Sequence, residues 1–189
     1  MNNVFEIKTV AELRSFNSIE TRSIFECMLG EAGGISARDL SDRASMSPET
    51  IHYHLGKLRK LGLVEDVGTR ETGARPERLF RLRYCSIVLK QGNRSKAFRE
   101  EVARGVRVLL RKSEREYTQA SSLDSDHVYR PRSFRAVAAL TPDDIAELHE
   151  LEARVDQIFR NAQQAHRVGD TNGRERVALT ITMAPIDIS

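Results

Sequence analysis

The chain has 189 residues, 40% hydrophobic and 30% charged, a balance that excludes a wholly disordered polymer and allows one large domain or two small ones. Its apolar runs are far shorter than the roughly 20 residues of a membrane helix, and the start lacks the basic and apolar regions of a secretory leader, so a cytoplasmic protein with no membrane association is expected. The net charge of +3 is too small to name an anionic partner, but the excess is local: residues 50–83 carry eight Lys and Arg against four Asp and Glu.

A short helix is expected through Val10 to Phe16. A longer one follows from about Glu20 to Glu31, where Ile24, Phe25, Cys27, Met28 and Leu29 form a broad apolar stripe that Gly33-Gly34 ends. Ser36 and Asp39 have the spacing of a capping box, in which hydroxyl and carboxylate each satisfy an orphan backbone N–H, so a short helix runs from there to about Ala44. After the turn Ala44-Ser45-Met46, Ser47-Pro48 sets an N-cap before a proline at the first helical position, where its missing N–H costs nothing.

This second helix runs to about Leu61 and is stopped by Gly62. Ile51, Leu55 and Leu58 give it a narrow core face. At 100° per residue the opposite face holds Glu49, Tyr53, Gly56, Lys57 and Lys60, with Thr50 and His52 on its flanks. His54 lies beside the apolar stripe and reads as a packing or backbone-bonding residue. Leu63–Val67 and Arg78–Leu82 then alternate toward strand on either side of the tip from Gly68 to Glu77, a basic hairpin.

Helix, short helix, tight turn, helix and hairpin in this order make the plan of a winged helix-turn-helix. The run from about Glu20 to Leu82, centred on ISARDLSDRASMSPETIHYHLGKLRKLGLVED, resembles the ArsR-type winged-helix transcriptional regulators, most specifically in Ser47 to Leu58 and in Leu61-Gly62-Leu63-Val64. The resemblance implies a dimer that lays one such helix per protomer into successive major grooves, roughly 34 Å apart, with each wing reaching an adjacent minor groove or backbone.

The side-chain chemistry agrees with that implication. Ser47 and Thr50 can donate to a phosphate at the helix N-terminus, where the dipole also favours an anion; Glu49, His52 and Tyr53 can face base edges; Lys57 and Lys60 suit phosphate. Arg70 and Arg75 are wing-tip candidates for a narrow minor groove. Some members of the resembling family sense metals through a cysteine pair in the helix before the recognition helix or through Asp/His sets near the C-terminus. Here Ala37–Ala44 has no cysteine, and His149 and His166 would stand about 25 Å apart along one helix, so no metal and no cofactor is expected. Cys27 and Cys85, with no Cys/His cluster around either, are expected as reduced thiols.

The domain break is placed near 87–93, giving a DNA-binding domain at 1–88 and a dimerisation and sensing region at 89–189. From Arg94 to about Ala120, Phe98, Val102, Val106, Leu109, Ser113 and Tyr117 follow helical spacing, with arginines over the other faces as a solvated surface or as additional phosphate contacts. Ser133–Leu140 reads as a strand, and Thr141-Pro142-Asp143-Asp144 is the clearest helix start in the chain. Leu148, Leu151, Val155 and Ile158 then alternate at spacings of three and four, a seam suited to a dimer partner helix or to packing on a sheet, before an end near His166. Val177–Ala184 alternates as a half-buried strand does.

The expected fold class is therefore mainly α with small β (α+β), an N-terminal winged helix-turn-helix followed by a helical/α+β dimerisation region. No nucleophile elbow, Walker loop, H-E-x-x-H or Rossmann fingerprint occurs, so an enzyme is not expected. The expected function is a homodimeric, sequence-specific regulator of transcription that binds double-stranded DNA and represses by occluding a promoter, with an unidentified effector able to relieve it. The alternative is a winged-helix module that holds a protein or an RNA, favoured by Glu49, whose carboxylate on the reading face repels phosphate.

Overall fold

The computed structural model describes residues 4–73, 75–90, 92, 95–122, 131–133, 135–167 and 177–184. Most of the expected loop at 121–132, together with Phe134, Gly169 and the side chain of His166, lies outside the described residues. Strand β1 (Val4–Ile7) leads into α1 (Val10–Phe16), whose N-cap Thr9 forms a capping box: its hydroxyl accepts the Glu12 N–H, and the Glu12 carboxylate accepts the N–H groups of Thr9 and Lys8. Ser18 caps α2 (Ile19–Cys27), which ends about one turn earlier than its apolar stripe suggests because the chain folds back through turns with Gly30 at φ +89°.

Strand β2 (Ile35–Ser36), α3 (Ala37–Ala44), α4 (Pro48–Lys60), β3 (Val64–Arg70) and β4 (Glu77–Leu82) follow in the anticipated order. The three strands form one antiparallel sheet in the order β2-β4-β3. The β3–β4 ladder runs from Val64 opposite Leu82 to Arg70 opposite Glu77, with a register shift between Asp66 and Gly68, so pairing extends well into the expected tip. Gly34 lets this sheet close: it sits at φ +87°, and a Cβ there would lie 2.7 Å from Val67 Cγ2.

Strand β5 (Ser86–Leu89) pairs in parallel with β1, from Val4 opposite Ser86 to Ile7 opposite Leu89, a two-stranded element that the sequence reading did not anticipate. Ile24, Leu40, Ile51, Leu58 and Leu63 are fully buried in one core between α2, α3, α4 and the sheet. Helix α5 (Lys96–Ser122) adds Phe98 to that core and packs against α1 and α2. Its seat is polar as well as apolar: Asn17 Nδ2 donates to the Glu101 carbonyl at 2.9 Å and to Glu101 Oε1 at 3.1 Å, and Arg14 Nε donates to Glu101 Oε2.

Beyond Gly105 no described residue is buried. Helix α6 (Pro142–Arg167) starts on the expected capping box, in which Asp144 accepts from the Thr141 N–H at 2.8 Å and the Asp144 N–H donates to Thr141 Oγ1 at 3.2 Å. The segments expected as strands at 133–140 and 177–184 form no ladder among the described residues, because alternation supplies a face but no neighbouring strand. The second of them touches α5 through a hydrogen bond between Ser113 Oγ and Thr180 Oγ1 at 2.6 Å. The chain is thus α+β, and no helix among the described residues is long and apolar enough to cross a membrane.

Candidate nucleic-acid interface

The α3–α4 unit is set by its caps. Ser36 Oγ accepts the Asp39 N–H at 3.1 Å, starting α3, and Ser45 ends it in the left-handed region at φ 50°. Ser41 Oγ donates to the Met46 carbonyl at 2.5 Å, holding the turn, and Ser47 Oγ accepts the Thr50 N–H ahead of Pro48. The buried face of α4 consists of Ile51, His54, Leu55 and Leu58. His54 Nδ1 lies 2.8 Å from Thr21 Oγ1. Burial, helped by Lys57 and opposed by Glu20, holds its pKa below the usual imidazole value, so the ring is a neutral strut between α4 and α2.

The opposite face of α4 is open. Tyr53 is 63% exposed, Glu49, His52 and Lys60 are exposed, and Lys57 is half-buried with Nζ 4.5 Å over the Tyr53 ring. That cation–π contact orders two long side chains side by side before any ligand arrives. Ser47 and Thr50 are less available than expected: their hydroxyls lie 3.1 Å apart, and Ser47 is already the N-cap. The Glu49 carboxyl is held below the usual range by its own backbone N–H and by Ser47, so an anion already occupies the start of the helix.

The wing differs from expectation at Arg70. It ends β3 rather than standing at the tip, and its Nη2 reaches Asp39 Oδ2 at 3.0 Å and Glu77 Oε2 at 2.6 Å. Two carboxylates, Glu77 first and then Asp39, raise its pKa, and the guanidinium braces the hairpin against α3 instead of reaching outward. Arg81 and Arg83 likewise converge on Glu65, at 2.8 and 3.1 Å. Arg75 is exposed at the tip, which is closed by Thr72 Oγ1 donating to the Arg75 carbonyl at 2.5 Å.

The sequence reading overlooked a cleft between α3, α4 and β4. Arg38, His52, Arg59 and Arg78 line it together with the carboxylate of Glu77, and Phe80 is buried beneath them. Arg38 and Arg78 reach carboxylates only at long range, Glu77 at 3.9 Å and Asp66 at 3.7 Å, and Arg59 is exposed with no ion pair among the described residues. Arg59 was legible in part: it stands seven residues after His52, about 20° away around the helix. Within the winged helix-turn-helix the basic side chains that face solvent thereby gather on α4, the cleft and the tip.

In the C-terminal half, Leu148, Leu151 and Ile158 are exposed and Val155 is half-buried. No group of three or more His, Cys, Asp and Glu able to hold a metal ion occurs among the described residues. His149 instead faces Glu152, with Nδ1 3.6 Å from its carboxylate.

Residues 22–65 match the family model of the winged helix-turn-helix DNA-binding domain, a span that takes in most of α2, all of α3 and α4, and the start of β3. No curated protein matches the chain. The N-terminal half therefore carries a winged helix-turn-helix DNA-binding domain, with α4 in the position of its recognition helix.

Proposed function

We propose that the chain is a homodimeric, sequence-specific regulator of transcription of the ArsR type, acting in the cytoplasm as a repressor that blocks a promoter, with no enzymatic activity. Residues 1–88 read the operator, and residues 89–189 join the protomers and receive any effector. The observation that carries the reading is the open, preordered face of α4, in which Lys57 lies over Tyr53 beside exposed His52 and Glu49. Tyr53 and His52 approach base edges, Glu49 accepts from a cytosine amino group, and Lys57 and Lys60 meet phosphate.

With α4 in a major groove and the wing at the adjacent minor groove, the strand between the two grooves passes the cleft lined by Arg38, Arg59 and Arg78. Its phosphates supply a counterion to Arg59 and closer ones to Arg38 and Arg78 than Glu77 at 3.9 Å and Asp66 at 3.7 Å. Arg75 remains the minor-groove candidate, whereas Arg70 acts through the wing it braces.

Selection from a randomised duplex pool at near-physiological salt, followed by affinity measurements against salt, tests the proposal. The expected result is an enriched inverted repeat with half-sites about one helical turn apart and a steep fall of affinity with salt. Absence of enrichment, with no more affinity for duplex than for single-stranded RNA, would overturn it in favour of a protein- or RNA-holding module.

A further inference from the structure

We infer that Thr21, fully buried on α2, is a positioning residue for sequence readout: it fixes the His54 ring, and that ring fixes Tyr53 on the reading face. The inference rests on the reading of Tyr53 as a base-contacting residue and adds what aims it.

Tyr53 cannot hold its own direction. Its side chain is 63% exposed on the open face of α4, where an unsupported aromatic ring exchanges among rotamers. Two contacts restrain it: Lys57 Nζ lies 4.5 Å over the ring, and the His54 ring stands 5.0 Å away, nearly perpendicular at 84°. Adjacent positions on a helix point about 100° apart and do not ordinarily meet, so this contact shows Tyr53 leaning toward the buried side of α4. The two supports are unequal. Lys57 is half-buried on a flexible four-carbon stem, whereas His54 is buried and anchored.

The anchor is Thr21. Its Oγ1 lies 2.8 Å from His54 Nδ1 and 2.8 Å from Oγ of Ser18, the N-cap of α2. Ser18 Oγ in turn accepts the Thr21 N–H at 3.1 Å. A hydroxyl tied on both sides in this way is not free to turn, and through Nδ1 it selects one of the two flips of the imidazole that burial alone would leave open. Order at the reading face therefore starts at the cap of α2 and runs through Thr21 and His54 to Tyr53. Holding Tyr53 in place before DNA arrives removes an ordering cost that binding would otherwise meet, a factor of about three for one side chain. Only the operator gains that factor, because a scrambled duplex offers Tyr53 no matching base edge.

Fluorescence anisotropy on the selected operator and on a scrambled duplex tests this through the ratio of the two affinities. The proteins are the wild type, Thr21→Val, Thr21→Ser, His54→Asn, Tyr53→Ala and Thr21→Val/Tyr53→Ala, with circular dichroism and Tm recorded for each. Thr21→Val nearly keeps the shape of the side chain and removes the hydroxyl; Thr21→Ser keeps the hydroxyl and removes a buried methyl. The ratio is expected to fall at least about threefold for Thr21→Val, to stay at the wild-type value for Thr21→Ser despite a lower Tm, and to be indifferent to Thr21→Val once Tyr53 is alanine. His54→Asn retains a group able to bond Thr21 but no ring, so it should lower the ratio as Thr21→Val does, and it decides the matter if the valine variant does not fold. A role in packing alone predicts the reverse order, with serine the more damaging change, and that result overturns the inference. A wild-type ratio for Thr21→Val or for His54→Asn, or an equal fall in the Tyr53→Ala background, overturns it too, while Tyr53 stands as a base reader. If no operator is selected, or if Tyr53→Ala leaves the ratio unchanged, the reading of Tyr53 fails and the inference with it.

Discussion

Arg59→Ala tests whether a phosphate strand runs through the cleft between α4 and the wing. Arg59 is exposed and unpaired among the described residues, so its removal should leave the fold intact. On a duplex bound by a dimer the substitution deletes two guanidinium–phosphate contacts, one per protomer. Each phosphate neutralised contributes about −0.9 to the slope of log affinity against log salt, so the variant's slope should be shallower by about 1.8. Raising salt fourfold, from about 50 to about 200 mM, then shrinks the wild-type advantage by about twelvefold. Fluorescence anisotropy at four or more salt concentrations measures both slopes, on the selected operator and on a scrambled duplex, and the loss should be the same on each. Equal slopes for variant and wild type, with the wild type itself steeply salt-dependent, would show that the backbone does not pass the cleft. A difference near 0.9 would keep the contact and point to one protomer per duplex.

Arg70→Ala should leave the salt slope of wild type, because Asp39 and Glu77 already neutralise that guanidinium; a slope change matching that of Arg59→Ala would show that it meets phosphate. Tyr53→Ala should cost about tenfold at the selected operator and little on scrambled duplex, and an equal loss on both would remove Tyr53 from base reading. The depressed pKa of His54 means that its contribution to stability is complete above the unfolded value of 6.5 and is lost as pH falls below it; urea unfolding at pH 7.5 and 5.5 should show a loss in wild type that His54→Gln lacks. Gly105→Ala should destabilise by about 1–3 kcal/mol, because a Cβ there would lie 2.5 Å from Asn17 Oδ1. In an Asn17→Ala background the same substitution should stabilise by up to about 1 kcal/mol through helix propensity, and a rise in Tm in the wild-type background would contradict the clash.

What could be read from sequence follows the range of the interaction. Helix starts are local, so Ser36 with Asp39, Ser47-Pro48 and Thr141 with Asp144 were legible and placed α3, α4 and α6. The core face of α4 was legible from spacing alone, and with it the outward face of Tyr53 and Lys57. The pairing of β1 with β5 was not, since four residues at each end of the domain carry no local mark of one another. Arg70 read as a tip cation because its counterion Asp39 lies on another element, 31 residues earlier. The cleft arginines were hidden for the same reason: the angle of Arg59 on α4 is a sequence property, but the wall opposite it is β4. Alternation at 177–184 was real, yet a strand also needs an adjacent strand, and sequence spacing supplies none.

The seat of α5 ties that helix to the winged helix-turn-helix domain through α1 and α2, and in the proposed dimer it would link the reading head to whatever holds the protomers together. Near its start Phe98 and Glu101 are buried, and the Glu101 carboxyl, which burial would raise, is drawn below its usual value by Asn17, Arg14 and Arg104, so it stays charged within the seat. Eleven residues further on, Lys112 Nζ meets Glu26 of α2 at 2.7 Å and also Glu116. Two attachments about 16 Å apart along one helix fix its direction as well as its position. A helix held in this way cannot turn without carrying α1 and α2, and α2 carries α4 through Thr21 and His54. In the proposed dimer, a contact of α5 with the second protomer would set the angle between the two α4 helices, and with it the half-site spacing that the dimer accepts. An effector need not touch the DNA-binding surface to release an operator. In the proposed dimer it would have only to favour a geometry in which α5 meets its partner at a different angle, and the polar seat at Asn17 would convert that preference into a lost register on DNA.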